Sequence, residues 1–236
     1  RLFTTKGAGQ IPVVMILDKE GYIIEQQPTG TPADGWASFE GTLMTALSEW
    51  LAAKGESVVT TREPGGTAIG EALRLPLLDP SNQNLSDLTE LGLMFAARSQ
   101  HVFECIEPAL ARGDWVICDR FTDSTYAYQG GGRGISAALI AQFEDLTLGG
   151  FAPNLTVLLD VPVAIGLARA AQVGAPDRFE SEQHAFFERA RETFLNRAET
   201  HKRTQIIDAS QPQATVMKEV VSLIEQHWLS VQGDPS

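Results

Sequence analysis

The sequence predicts an α/β protein: a five-stranded parallel sheet with helices on both faces. Three observations predict it. Short strand-like runs recur at Trp36–Phe39, Ser57–Thr61, Trp115–Asp119, Leu155–Val161 and Thr204–Asp208. Stretches with helical apolar spacing separate them, and strands divided by helices pair in parallel. At 236 residues and 43% hydrophobic, the chain can bury one substantial core.

Each element has a local reason. Residues 1–35 stand apart as an N-terminal extension. In it, Ile11–Leu17 and Tyr22–Glu25 read as two strands, and Asp18-Lys19-Glu20-Gly21 is turn chemistry for a hairpin between them. Gln26–Gly35, rich in Pro, Gly and Thr, reads as a linker, so the main domain is expected over residues 36–230. The strand Trp36–Phe39 then leads into a helix with Leu43, Leu47 and Leu51 at helical spacing, closed by Gly55. After the strand Ser57–Thr61, a helix over Thr67–Leu78 is stopped by Asp79-Pro80. A long helical stretch runs from Thr89 to Arg112, which Pro108 is expected to bend or split. Ser136–Leu148 is a helix ended by Gly149-Gly150. Pro162 suits the first turn of the helix that follows the fourth strand. Glu180–Glu199 and Pro212–Trp228 supply the last two helices.

Composition narrows the function classes. A formal charge of −12 and a pI near 4.7 oppose a nucleic-acid-binding surface, which needs a basic face. Binding of an anionic ligand must then depend on locally focused arginines. No apolar run reaches the roughly 18 residues of a membrane span, and Arg1–Gln10 has no long apolar region of a secretory signal. Cys105 and Cys118 read as buried thiols of a reducing compartment. The expectation is a cytoplasmic protein. His101, His184, His201 and His227 show no ligand spacing.

Chemistry concentrates after the strands. Asp119-Arg120 closes the strand Trp115–Cys118, and ligands of open α/β sheets bind outside the strands' carboxyl ends. An acid there suits a magnesium ion, and an arginine beside it can fork onto phosphate oxygens. Ser124, Thr125, Tyr126, Tyr128 and Gln129 follow, a set suited to a planar base and a sugar. The block Thr61-Arg62-Glu63-Pro64-Gly65-Gly66-Thr67 follows another strand and offers a tight turn opening a helix. Phe95 and Arg98, three apart, share one helix face. Gly130-Gly131-Gly132-Arg133-Gly134 lacks the Lys-[Ser/Thr] ending of a phosphate loop and reads as a flexible loop at the same site.

These blocks, with Leu93–His101 and Asp177-Arg178-Phe179-Glu180, resemble the bacterial thymidylate kinases in order and spacing from about Phe39 to Trp228. The resemblance implies a P-loop-kinase-like nucleoside monophosphate kinase fold, transfer of the γ-phosphate of ATP to dTMP with Mg²⁺, and a homodimer. By resemblance, Asp119 organises Mg²⁺ and Arg120 binds phosphate between donor and acceptor. Arg62, Glu63 and Pro64 line the deoxynucleotide pocket, and Phe95 stacks on thymine. Arg98 reaches a base carbonyl or the phosphate. Ser124 and Thr125 meet the base edge, Gln129 covers the base, and Tyr128 crowds the 2′ position. Arg169 and Arg178 bracket a short lid and bring charge to the transferring phosphate.

One motif of the resemblance is absent. The chain contains no G-x-x-x-x-G-K-[ST] loop, and Lys6-Gly7-Ala8-Gly9 carries similar letters only in reverse order. Glu40-Gly41-Thr42 stands where the loop should meet the helix, with Thr42 at the place of its Mg²⁺-binding hydroxyl. Three readings follow: a kinase with a weakened ATP side, a non-catalytic nucleotide-binding module, or a chain whose native loop is replaced by residues 1–35.

Overall fold

The computed structural model describes residues 12–17, 39–170, 178–179 and 182–232; at 12–17, 39–40, 169–170 and 232 it describes the backbone alone. Its strands are β1 (Pro12–Leu17), β2 (Val58–Arg62), β3 (Trp115–Asp119), β4 (Leu155–Asp160) and β5 (Thr204–Asp208). They pair in the order β2-β3-β1-β4-β5, every neighbour parallel.

The centre of the sheet differs from expectation. Residues 36–38 lie outside the described residues, and Phe39 opens helix α1 (Phe39–Ala53) rather than ending a strand. The central position belongs to Pro12–Leu17. Val13 pairs with Ile117 of β3 on one side and Leu155 of β4 on the other. The run Val13-Val14-Met15-Ile16-Leu17 is continuously apolar, the pattern of a strand covered on both faces. The expected hairpin partner, Tyr22–Glu25, and the linker Gln26–Gly35 lie outside the described residues. The expected boundary at 35/36 therefore falls between a strand of the sheet and the helix packed on it.

The remaining helices are α2 (Ala68–Leu78), α3 (Asp87–His101), α4 (Glu107–Arg112), α5 (Thr122–Thr125), α6 (Ala137–Leu148), α7 (Val163–Ala170), α8 (His184–Thr200) and α9 (Gln213–Gln232). The long helical stretch is split just before Pro108, in line with the expectation. The chain widens into a π-helical turn over Val102–Ile106, and the proline then enters the first turn of α4, where its missing N–H costs little. Side-chain oxygens of Thr67 and Ser86 cap α2 and α3 by accepting from Gly70 N and Thr89 N.

Two apolar layers sandwich the sheet because strand side chains alternate. Trp115 and Ile117 of β3 and Leu155, Val157 and Leu159 of β4 face α1 and α9, meeting Leu43, Leu47, Leu51, Val216, Val220 and Ile224. Val116, Cys118 and Leu158 face the opposite layer, built from Val102, Ile106 and the aromatic face of α8. Leu47 is fully buried. Leu47→Ala is expected to cost about 2–5 kcal/mol, read from urea unfolding. A loss below about 1 kcal/mol would show that α1 is not packed as described.

Candidate active site

Asp119 ends β3 beside the central strand, level with Met15 of β1 and Arg62 of β2. β1 is where the strand order turns from β3 and β2 toward β4 and β5, the place where parallel sheets bind ligands. Asp119 O accepts from Glu63 N at 2.8 Å, tying the Glu63-Pro64-Gly65-Gly66 turn to the strand end. Arg120 follows with φ at 65°, the left-handed region, which a non-glycine residue occupies at a cost of roughly 1–3 kcal/mol. That backbone turns its guanidinium over the Tyr128 ring, 5.3 Å from the centroid.

A cleft with about 360 Å³ of space, part of it open to solvent, lies here, lined by Pro64, Leu78, Met94, Arg120, Ser124, Tyr128, Gln129 and Phe179. Its wall is mostly apolar, yet two buried polar atoms on lining residues, Ser124 Oγ and Gln129 Oε1, have no protein partner. An apolar slot with a few convergent polar groups is what a small organic ligand needs.

Behind the wall lies a buried polar network. Glu63 takes Arg98 Nε at 2.6 Å on one oxygen and His101 Nδ1 at 2.9 Å on the other. Arg98 also donates to Thr125 Oγ1 at 2.9 Å and to Phe121 O at 3.2 Å. His101 Nε2 meets Thr61 Oγ1 at 2.6 Å. The pair Glu63–Arg98 is about 1% exposed on both sides, so its charges are balanced by each other, by these bonds and by the Phe95 and Phe121 rings beside the guanidinium rather than by water. Gly66, with φ at 77°, lets the turn pass this histidine: a Cβ there would lie 2.5 Å from the His101 ring.

Glu63, His101 and Cys118 approach one another within 4.8 Å, but the chemistry is not that of a metal site. Both imidazole nitrogens and both carboxylate oxygens are engaged. Burial, with the nearby Glu63 and Asp119 charges, holds the Cys118 thiol well above its usual range and keeps it protonated. Among the described residues no other such cluster occurs.

The structure redistributes the residues expected from sequence. Pro64, Arg120, Ser124, Tyr128 and Gln129 line the cleft. Glu63, Arg98 and Thr125 stand behind it as its support. Arg62 is half exposed and paired with Glu71 at 3.0 Å. Phe95 does not line the cleft. It stacks on Phe143 with centroids 5.7 Å apart, while its neighbour Met94 reaches the cleft. Along a helix, adjacent residues point about 100° apart, so one position decides which of them meets a ligand.

Arg178, expected beside the lid, is buried: it pairs with Glu90 and donates through Nε to Leu77 O at 2.9 Å. The Arg169 side chain and residues 171–177 lie outside the described residues, as does the side chain of Glu40. Gly41 and Thr42 are exposed in the first turn of α1.

The glycine run is not a loose loop. Its first three glycines lie in a π-helical segment, Tyr126–Gly132, continuing from α5. Arg189 of α8 donates to the carbonyls of Gly131 and Gly132 at 3.0 and 2.7 Å. A Cβ on Gly132 would sit 2.3 Å from the Phe186 ring, and one on Gly131 would sit 2.2 Å from Thr193 Oγ1. Close helix packing explains Gly131 and Gly132, and a positive φ explains Gly134.

Three residues of this site escaped the sequence reading. Arg74 is buried and donates to Pro64 O at 2.6 Å. Burial first, then the charge of Arg62 with a further push from Arg120, brings its pKa down to about 10. Arg74 thus sits in a cationic field that an anion would relieve. Its signal was an arginine on the buried stripe Gly70, Arg74, Leu77 of α2. Glu90 likewise interrupts the buried face of α3, and Asp123 holds Arg197 at 2.6 Å and Arg203 at 2.7 Å.

A parallel sheet with helices on both faces, carrying at its strand ends an acid, several arginines and a largely apolar cleft, has the layout of a nucleotide-handling α/β protein. The thymidylate kinase family profile matches residues 41–220. A thymidylate kinase of Alcanivorax borkumensis is 50% identical over 76% of this chain and 87% of its own length. One from Pseudomonas savastanoi pv. phaseolicola is 52% identical over 76% and 86%. The crystal structure of thymidylate kinase from Ehrlichia chaffeensis superposes with a TM-score of 0.62 at 30% identity, over 90% of this chain and 99% of that one. The chain belongs to the thymidylate kinase family.

Proposed function

We infer that this chain carries out the family's reaction, transfer of the γ-phosphoryl group of ATP to dTMP, giving dTDP and ADP. The observation that carries the acceptor assignment is the cleft's polarity: apolar walls, two unpartnered buried oxygens at Ser124 and Gln129, and Arg120 among the lining residues. The thymine ring lies in the slot against Met94 and Pro64. Its edge meets Ser124 and Gln129, and Tyr128 crowds the 2′ position, which selects deoxyribose. Arg120 and Arg74 take the 5′-phosphate, with Arg62 on the solvent side. One oxygen of that phosphate attacks the γ-phosphorus as the bond to the β,γ-bridging oxygen breaks.

Such a transfer depends on position and charge rather than on a covalent nucleophile. Arg120 stabilises the charge that develops on the moving group, and burial keeps it weakly screened. Mg²⁺, when bound, supplies further neutralisation of the phosphates. Asp119, a buried hard-oxygen donor at the strand end, is the residue that fits it, and a site with one protein carboxylate suits an ion held mainly by substrate phosphates and water. Glu40, Gly41 and Thr42 mark the ATP side at the start of α1, with Thr42 as a second hydroxyl ligand of the ion. Arg169, at the end of α7, is the lid arginine. Arg178 anchors the segment behind it. The proposal includes a P-loop-kinase-like, five-stranded nucleoside monophosphate kinase fold, a homodimer and a cytoplasmic setting. No helix of the described residues is long and apolar enough to cross a membrane.

A second reading has its own observation. The sequence lacks Gly-Lys-[Ser/Thr] anywhere, and that loop wraps the β-phosphate and places a lysine on the β/γ oxygens. A nucleotide-binding module with an intact acceptor cleft would show the same site. Thermal shift and ADP release separate the two. On the kinase reading dTMP and MgATP each raise the melting temperature, and the pair releases ADP. A dTMP shift with neither an ATP shift nor turnover supports the binding module. If dTMP produces no shift, the acceptor assignment fails.

A further inference from the structure

The Gln129 side chain has two faces with opposite hydrogen-bonding sense, and the structure assigns which one the ligand meets. Gln129 is fully buried. Its Nε2 donates to Glu90 Oε1 at 2.7 Å. Glu90 is itself fully buried on α3, pairs with Arg178, and lies 3.4 Å from Arg133 Nε. A carboxylate facing two guanidinium groups accepts hydrogen bonds and donates none, so the amide nitrogen must point at it. The amide carbonyl, Oε1, then has no protein partner, and Gln129 lines the cleft. The polarity of this wall is set one residue deeper than the wall itself.

We propose that Glu90 is a positioning residue that locks the Gln129 amide with its carbonyl toward the cleft, so that the site selects a base presenting a ring N–H. This rests on the reading of the cleft as the dTMP site and adds how the base is chosen. Thymine carries a hydrogen on N3 and satisfies Oε1. Cytosine carries a bare lone pair at N3, placing acceptor against acceptor and leaving both buried without a donor. Leaving a buried acceptor unsatisfied costs roughly 1–3 kcal/mol, about 10–100-fold in binding. Uracil has the same N–H as thymine, so Gln129 does not separate those two; a contact at the 5-methyl group must.

The wild-type chain is titrated with dTMP, dUMP, dCMP and N3-methyl-dTMP by calorimetry, which requires no turnover. The expectation is that dTMP and dUMP both bind well above dCMP and N3-methyl-dTMP, by about 10–100-fold. In Glu90→Gln the new amide both donates and accepts, the Gln129 amide can turn over, and the dTMP:dCMP ratio should fall at least tenfold. Arg133→Gln removes a cation beside Glu90 and leaves the Glu90–Gln129 bond. It should lower the melting temperature without moving the ratio.

An unchanged ratio in folded Glu90→Gln overturns the inference and leaves the dTMP site standing. So does an equal collapse in Arg133→Gln, which would mean general loosening. If Glu90→Gln does not fold, the wild-type comparison decides: N3-methyl-dTMP or dCMP binding as tightly as dTMP overturns it. Wild-type protein that binds no dTMP overturns both this inference and the acceptor assignment.

Discussion

Arg98→Met is expected to cost about 3–5 kcal/mol of stability, because it leaves the Glu63 carboxylate buried without its cation. For a domain of this size that corresponds to a fall of roughly 6–20 °C in melting temperature. The remaining partner, His101, reaches only one Glu63 oxygen, and Thr125 and Phe121 O lose their donor at the same time. The dTMP-dependent thermal shift should weaken with it, since Phe121–Thr125 leads into the segment that lines the cleft. The double variant Glu63→Met/Arg98→Met should recover a large part of the loss, as buried pairs often tolerate joint apolar replacement. Urea unfolding of the parent, both singles and the double is the measurement. A single-variant loss below about 1 kcal/mol would mean that the network does not hold the wall.

Arg120→Gly separates chemistry from folding in the opposite direction. Its backbone sits at φ 65°, where glycine is free of the Cβ conflict, so stability should hold or rise. The guanidinium over Tyr128 disappears, and with it the charge aimed into the cleft. ADP release from MgATP with dTMP should fall by about 10²–10³ relative to the parent, the usual effect of removing one charge-stabilising donor. Turnover within tenfold of the parent would remove Arg120 from the mechanism. A large loss of stability instead would show that the side chain holds the strand end rather than serving the reaction.

The outer strands and most helices were legible in the sequence because their signals are local. Leu43, Leu47 and Leu51 repeat every fourth residue and form one buried face, and Ser136 and Gly149 mark the ends of α6 as capping chemistry requires. The central strand was legible as a strand and not as the centre. Asp18-Lys19-Glu20-Gly21 suggested a local return, whereas the partners of Pro12–Leu17 lie about a hundred and more residues away in β3 and β4. Parallel pairing is non-local, and periodicity carries no information about it.

For the site, residue type was legible and placement was not. Asp119, Arg120, Ser124 and Gln129 could be chosen because strand-end acids, arginines and small polar groups suit phosphate and base. Phe95 and Met94 differ by one step of helix rotation, and only the packing of α6 against α3 puts Phe143 on Phe95 and turns Met94 to the cleft. Glu90 and Arg74 carry little local sign of a role, because their partners lie outside their own helices. Arg178 binds Glu90 across 88 positions of sequence, and Pro64 O receives Arg74 across a turn.

By itself, then, the sequence determined the α/β class, the order of most elements and the kind of chemistry the strand ends can hold. These follow from short-range spacing and from residue chemistry. Tertiary structure alone decided which strand stands at the centre, which charges are buried together and which face of each side chain meets a ligand. Those choices depend on burying apolar surface and neutralising charge between segments far apart in the chain, which no local window contains.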